Sequence, residues 1–204
     1  MGMQSVQRHD EGAKRYEEPL APAWDVGRPQ RAIYELEVAG ELGRDVLDVG
    51  CGTGEHALFL AARGHAACGV DPSARAVARA QRRARERGVP AVFVAEELTR
   101  LERLARKFDC AVDAGAFQRL ERAQRADYAR ALGAVIKPGG RLFLLCFGDH
   151  ERGPGGPRRV TREELRTVFE GAGAFRVDTI GAALLESRGY PGGANAWLLK
   201  ATRR

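Results

Sequence analysis

Short runs of aliphatic and β-branched residues alternate along the chain with stretches whose apolar positions recur every three or four residues. The runs predict strands near 45–49, 66–70, 91–95, 109–113, 141–147, 175–180 and 195–201. The helical spacing predicts helices near 28–41, 54–63, 73–87, 98–107, 121–136 and 162–171. Such alternation predicts an α/β fold, doubly wound, with a mostly parallel seven-stranded sheet covered on both faces. The run Leu142-Phe143-Leu144-Leu145 is apolar throughout, as an interior strand buried on both faces should be. Boundary residues agree with this layout. Thr161 followed by Glu164 reads as a capping box before Leu165, Val168 and Phe169. Gly64 and Gly88 stand where a helix needs a left-handed C′ residue, and Pro138-Gly139-Gly140 stops the fifth helix.

The chain of 204 residues reads as a single domain, with residues 1–43 as an N-terminal helical cap and 44–204 as the sheet core. Gly148 to Arg159, rich in glycine and proline, follows the carboxyl end of the fifth strand and is a candidate lid or surface connection. Ligands of open α/β sheets bind at that edge. The strongest ligand signal lies at the first strand. In Val46-Leu47-Asp48-Val49-Gly50-Cys51-Gly52-Thr53-Gly54-Glu55 a strand runs into alternate glycines and then a helix. Glycines there let the backbone approach a ligand closely. Asp71 ends the second strand, where a carboxylate can hold a ribose diol.

Charge narrows the function classes. The formal net charge is +6, and arginines are densest at 75, 79, 82, 83, 85 and 87. The pattern argues against nucleic-acid binding, because Ala74, Val77, Ala78 and Ala84 share one helical face and leave the arginines for solvent. Aromatic residues are not interleaved with the basic ones, so a stacking platform is missing. No apolar run is long enough to span a bilayer, and residues 1–15 are too polar for a secretory signal. Cys51, Cys68, Cys110 and Cys146 are scattered without paired spacing, which favours reduced thiols in a cytoplasmic protein and offers no metal cluster.

Gly52-x-Gly54-x-x-Ala57 with Asp71 beyond it fits a relaxed dinucleotide fingerprint, so a nicotinamide-dependent reductase stays open. The charges favour another cofactor. Asp48 before the turn and Glu55 after it would both face a diphosphate, which needs bare N–H groups. S-adenosyl-L-methionine carries a sulfonium and an ammonium and no phosphate, and carboxylates suit it.

The segments VLDVGCGTG, GVDPS and IKPGGRLFLL together resemble the class I S-adenosylmethionine-dependent methyltransferases. The resemblance implies the Rossmann-like methyltransferase fold, with strand order 3-2-1-4-5-7-6 and the last strand antiparallel. It implies cofactor contacts from Asp48, Gly50, Gly52 and Gly54 around the methionine moiety and from Asp71, with Pro72 beside it, on the ribose. Glu96 or Glu97, followed by Leu98, would meet the adenine amine; Asp113 is a further polar candidate for the cofactor site. The flanks carry a narrower likeness. PAWDVGRPQ at 22–30 and GDHERGPGGPRRVTREEL at 148–165 are similar to segments of the thiol, halide and thiopurine methyltransferases. By that likeness Trp24 packs near the sulfonium, where cation–π attraction favours it, and Asp25 and Arg28 tie the cap to the sheet.

For the substrate pocket the candidates are Gln118, His150 and Arg158, with Arg159 as an alternative cation for an anionic acceptor. Gln118 departs from the aromatic or His expected at that wall. The resulting expectation is methyl transfer to a small-molecule acceptor, first a thiol or other soft nucleophile, with oxygen or nitrogen acceptors as the alternative. An RNA-binding protein using residues 75–87 is the remaining rival. His150 could also take a proton near neutral pH and serve as a general base.

Overall fold

The computed structural model describes residues 23–153 and 156–204. One sheet runs through them. Its strands are β1 (Asp45–Val49), β2 (Ala66–Asp71), β3 (Val92–Ala95), β4 (Phe108–Ala114), β5 (Ile136–Phe147), β6 (Phe175–Ser187) and β7 (Tyr190–Arg203). The helices are α1 (Arg31–Val38), α2 (Glu55–Ala62), α3 (Ala74–Arg87), α4 (Arg125–Val135) and α5 (Arg162–Gly171). The strand order is β3-β2-β1-β4-β5-β7-β6, with β7 paired antiparallel to both β5 and β6 and the other pairs parallel. This is the doubly wound order that the resemblance implied.

Strand alternation sorts the core into two layers. Val46 of β1, Ala67, Val112 and Phe143 pack with α1, α2 and α3 on one face. Leu47 and Val49 pack with Leu132, Leu165 and Phe169 of α4 and α5 on the other. Asp48 therefore shares the α2 face with Val46, and its neighbours are set by that geometry.

Several elements differ from their sequence-based expectation. Residues 98–107 form one 3₁₀ turn, Leu101–Leu104, which Ala105 ends in the left-handed region at φ +49°. Only Leu101 of that turn is fully buried, which is too little apolar surface to hold a longer helix. The helix expected from residue 28 starts at Arg31, because Pro29 and Gln30 run extended to reach β6 and α2. The N-terminal cap is thus, among the described residues, an extended strap followed by α1; residues 1–22 lie outside them. α4 begins at Arg125 after a 3₁₀ turn at Arg122–Gln124. β5 already starts at Ile136, with a register shift against β4 at its glycines. β6 and β7 extend to a long hairpin, paired from Phe175 with Arg203 to Ser187 with Tyr190.

The capping box at α5 forms by half. The Thr161 hydroxyl accepts the Glu164 N–H at 3.0 Å, but the Glu164 carboxylate turns away to Arg125 and Arg158. Gly88 caps α3 in the left-handed conformation at φ +64°. The buried face of α3 is Val77, Ala80 and Ala84, while Ala74 and Ala78 are exposed. Two of its arginines are not solvent charges. Arg83 and Arg87 both bind the Glu55 carboxylate, at 2.6 and 2.8 Å.

Candidate active site

β1 ends in a turn that folds back over β2: the N–H groups of Gly50 and Cys51 both donate to the Val70 carbonyl, at 2.8 and 2.9 Å. Gly52 follows with φ +53°, a left-handed conformation that costs a side chain dearly. A Cβ on it would stand 2.4 Å from the Trp24 ring, so the indole lies directly on the bare backbone. Asp71, at the end of β2, accepts the Gly52 N–H at 2.9 Å with one oxygen and the Ser73 N–H at 2.9 Å with the other. The same carboxylate therefore shapes the turn and faces the space in front of it.

That space is a cavity of about 320 Å³ at the carboxyl edge of the sheet. Trp24 roofs it over Gly52, with Gly50 also on its wall. Asp71, Pro72, Glu97, Leu98 and Thr99 line the end next to β2 and β3. The other end is built by the loop after β4, from Ala114 to Leu120, with Gln124 and with Leu185 from the β6 hairpin. Its charges are divided accordingly: two carboxylates at one end and the Arg119 guanidinium at the other.

The strap bearing Trp24 is fixed on three sides. Buried Asp25 accepts the Thr53 hydroxyl at 2.7 Å and an Arg83 N–H at 3.2 Å. Burial opposes the charge on Asp25, but the Thr53 hydroxyl, the Gly27 N–H and Arg83 together hold its pKa below the ordinary carboxylate value. Arg28 grips the Glu186 carboxylate with both terminal nitrogens, and the Gln30 amide exchanges two hydrogen bonds with the Glu186 backbone. The Ala23 carbonyl accepts the Arg188 N–H at 2.8 Å.

Of the residues picked out in the sequence, Trp24, Gly50, Gly52, Asp71, Pro72, Glu97, Leu98 and Gln118 line the cavity. The others do not. Asp48 is buried beneath the turn, where one oxygen accepts the Ala57 N–H at 3.1 Å and the other faces His56 Nδ1 at 3.8 Å. His56 Nε2 accepts the Gln30 N–H, and burial lowers the imidazole to about 4, so the ring is neutral with its proton on the Asp48 side. Gly54 is a packing glycine whose Cβ would meet Phe93 at 2.8 Å and Ala80 at 2.9 Å. Glu55 is bound by α3 arginines instead of facing a ligand. Glu96 accepts its neighbour's N–H and lies 3.7 Å from Arg103. Asp113 is fully buried and accepts the Ala116 and Phe117 N–H groups and the Tyr128 hydroxyl.

His150 stacks on Trp197 with ring centroids 4.1 Å apart, and Arg158 binds Glu164. Arg159 donates to the Pro157 and Gly153 carbonyls. The described part of the 148–159 loop is pinned to β7 and to Val160, away from the cavity. All four cysteines are buried free thiols, and burial pushes their pKa values up, that of Cys110 to about 11. Sequence reasoning missed Arg119, Thr99, Leu120, Gln124 and Leu185 as cavity residues. Their only signal is position beyond the carboxyl ends of β3 and β4, or on a hairpin folded back from far along the chain.

Burial raises Asp48 to about 7, with the charges of Asp113 and Asp71 adding to the shift. The unfolded carboxyl titrates near 4, so the native state binds the extra proton between those values. This contribution is complete below pH ~4 and is lost as the pH rises through about 7. Urea unfolding at pH 5 and pH 8 should show a loss that Asp48→Asn reduces by roughly 2 kcal/mol. Identical pH slopes in the two proteins would refute the assignment.

The comparisons with known proteins agree with this architecture. A methyltransferase-domain family model matches residues 46–140. A 2-heptyl-1-hydroxyquinolin-4(1H)-one methyltransferase of Mycobacteroides abscessus is 32% identical over 171 residues, 82% of this chain and 74% of its own length. The Arabidopsis thaliana protein named Probable thiol methyltransferase 2 is 32% identical over 155 residues, 73% of this chain and 67% of its own. Among solved structures, one from work on the conversion of a disulfide bond into a thioacetal group during echinomycin biosynthesis superposes with a TM-score of 0.79. It is 32% identical, and the match covers 89% of this chain and 85% of that one. The magnesium protoporphyrin IX methyltransferase of Synechocystis PCC 6803, with bound S-adenosylmethionine, shares the fold at a TM-score of 0.65 and 22% identity, over 85% of this chain and 76% of that one. With sheet order and sequence in accord across four-fifths of its length, this chain belongs to the S-adenosylmethionine-dependent methyltransferases.

Proposed function

We propose that the enzyme methylates a small molecule whose reacting atom is a thiol sulfur or another soft nucleophile, in the cavity roofed by Trp24. The observation that carries this reading is a mixed polar and apolar pocket whose end beyond β4 offers hydrogen-bond donors and, among the described residues, holds no carboxylate, imidazole or thiol to take a proton. The residues present suit the donor. Asp71 and Glu97 supply negative charge where a cationic nucleoside would lie, and the Gly50–Gly52 turn borders the same cavity, with Ala116 packed on Gly50 and the Trp24 ring on Gly52. When bound, S-adenosylmethionine supplies an activated methyl group on a sulfonium.

The protein then has two tasks. It aligns the acceptor with the methyl carbon, and it excludes water from the reacting atoms. Trp24 serves both, since its ring closes the cavity and its π face favours a nearby cation. An oxygen acceptor is the second reading, favoured by the 32% identical relative named for a 1-hydroxyquinolone.

Asp71→Ala should weaken donor binding by about 1.5–3 kcal/mol, the worth of hydrogen bonds to a charged group. It also releases the Gly52 N–H, so a calorimetric affinity equal to wild type in a folded variant would remove Asp71 from the site. Trp24→Ala should lower turnover more than donor affinity if water exclusion is the main role of the roof; equal losses would make it an anchor only. A screen of thiols, phenols, halides and amines, read as S-adenosylhomocysteine formation, tests the acceptor class. Turnover of amines with no turnover of thiols would overturn the proposal.

A further inference from the structure

The two ends of the cavity differ in sign, and the end beyond β4 is built to donate. Gln118 is 6% exposed, and its Oε1 accepts the Phe147 N–H at 2.6 Å. That bond fixes the amide orientation, since a backbone N–H must face an oxygen. Nε2 is left on the cavity side, close to Gly115, with no hydrogen-bond partner among the described residues. With the oxygen committed to Phe147, the two Nε2 N–H groups are left to donate to an acceptor atom in the cavity.

Arg119 is the next residue, and its guanidinium also faces the cavity, 5.9 Å from the Trp24 ring centroid. Among the described residues it has no carboxylate partner. The carboxylates of the cavity, Asp71 and Glu97, follow β2 and β3, and two strand spacings separate β2 from β4, about 10 Å. The lining from Ala114 to Leu120, with Gln124 and Leu185, contains no carboxylate, imidazole or thiol.

We infer that Gln118 and Arg119 are the acceptor-selecting residues and that the enzyme takes its acceptor as an anion already ionised in solution. The class is an acidic thiol or a comparably acidic hydroxyl on an apolar body. Basic amines and aliphatic alcohols are disfavoured. The inference rests on the methyl-transfer reading above. Its chemistry balances without a base: a thiolate lone pair forms the new bond to the methyl carbon as the sulfonium carbon–sulfur bond breaks. The released pair stays on the donor sulfur, and no proton moves. An un-ionised alcohol would find no side chain among the described residues to take its proton at this end of the cavity.

The test separates binding from chemistry. Protein loaded with S-adenosylhomocysteine is titrated with 4-nitrobenzenethiolate and with its neutral methyl sulfide. The wild type should bind the thiolate at least about tenfold more tightly, as charge-assisted hydrogen bonds imply. Arg119→Ala, at an exposed position, should reduce that preference about tenfold while S-adenosylhomocysteine affinity stays unchanged. Gln118→Glu can keep the Phe147 N–H bond while placing a carboxylate oxygen in the cavity, and it should abolish thiolate binding and spare the sulfide. Equal affinities for the two probes in the wild type, or no thiolate binding to the loaded protein, overturn the inference alone. Failure of S-adenosylhomocysteine to bind overturns the reading beneath it as well.

Discussion

Gly52→Val is expected to abolish methyl transfer and to lower affinity for S-adenosylhomocysteine by at least about tenfold. Two penalties combine at this position. The residue sits at φ +53°, where a β-branched side chain is strongly disfavoured. Its Cβ would stand 2.4 and 2.7 Å from two carbons of the Trp24 ring, so the indole must leave the turn before any side chain fits. Trp24 cannot shift freely, because Asp25 beside it is held by Thr53 and Arg83. Gly64→Ala is the matched control. That glycine has φ +94°, and a methyl group on it would meet nothing within 4 Å, so the substitution should cost about 1–2 kcal/mol of stability and leave binding intact. Comparable loss of binding in both variants would mean that backbone strain, and not the roof contact, governs the site.

Asp113→Ala should produce the largest loss of stability, about 3–5 kcal/mol in urea unfolding. The carboxylate accepts the Ala116 N–H at 2.7 Å, the Phe117 N–H at 3.0 Å and the Tyr128 hydroxyl at 2.6 Å, all in buried surroundings. Burial pushes its pKa up to about 6, while these donors pull in the opposite direction. Alanine would strand three donors away from water. Tyr128→Phe removes one donor together with its need and should cost only about 1 kcal/mol. Because Asp113 shapes the loop carrying Gln118 and Arg119, its loss should also disturb the acceptor end of the cavity. A stability change below about 1 kcal/mol would contradict this role.

The central strands were legible because parallel strands buried on both faces read as continuous apolar runs, as Leu142–Phe147 does. The hairpin β6–β7 reaches well past its expected ends, since much of β6 is half-exposed and its outer residues carry no apolar period. Residues 98–107 show the opposite failure: leucines at helical spacing close one 3₁₀ turn and go no further.

Gly50, Gly52 and Asp71 line the cavity at the edge that their local spacing pointed to, because a strand end and the turn after it are set by neighbouring residues. Asp48 and Glu55 misled, because adjacency in sequence says nothing about direction. Asp48 points with Val46 toward α2, and Glu55 is taken by Arg83 and Arg87, which lie 28 and 32 residues further on. The negative charge that faces the cavity comes from Asp71 and Glu97. Arg158 and Arg159 do not line the cavity, whereas Arg119 does, and its position depends on how the chain leaves β4.

The proposed seat of the methyl donor, between Asp71 and Glu97 under Trp24, is tested most directly by a crystal structure with S-adenosylhomocysteine. The expected result is density in this cavity, with the ribose hydroxyls within hydrogen-bonding distance of the Asp71 carboxylate and the Trp24 ring over the ligand. Ligand bound elsewhere on the protein, or bound here with Asp71 turned away from the ribose, would contradict it.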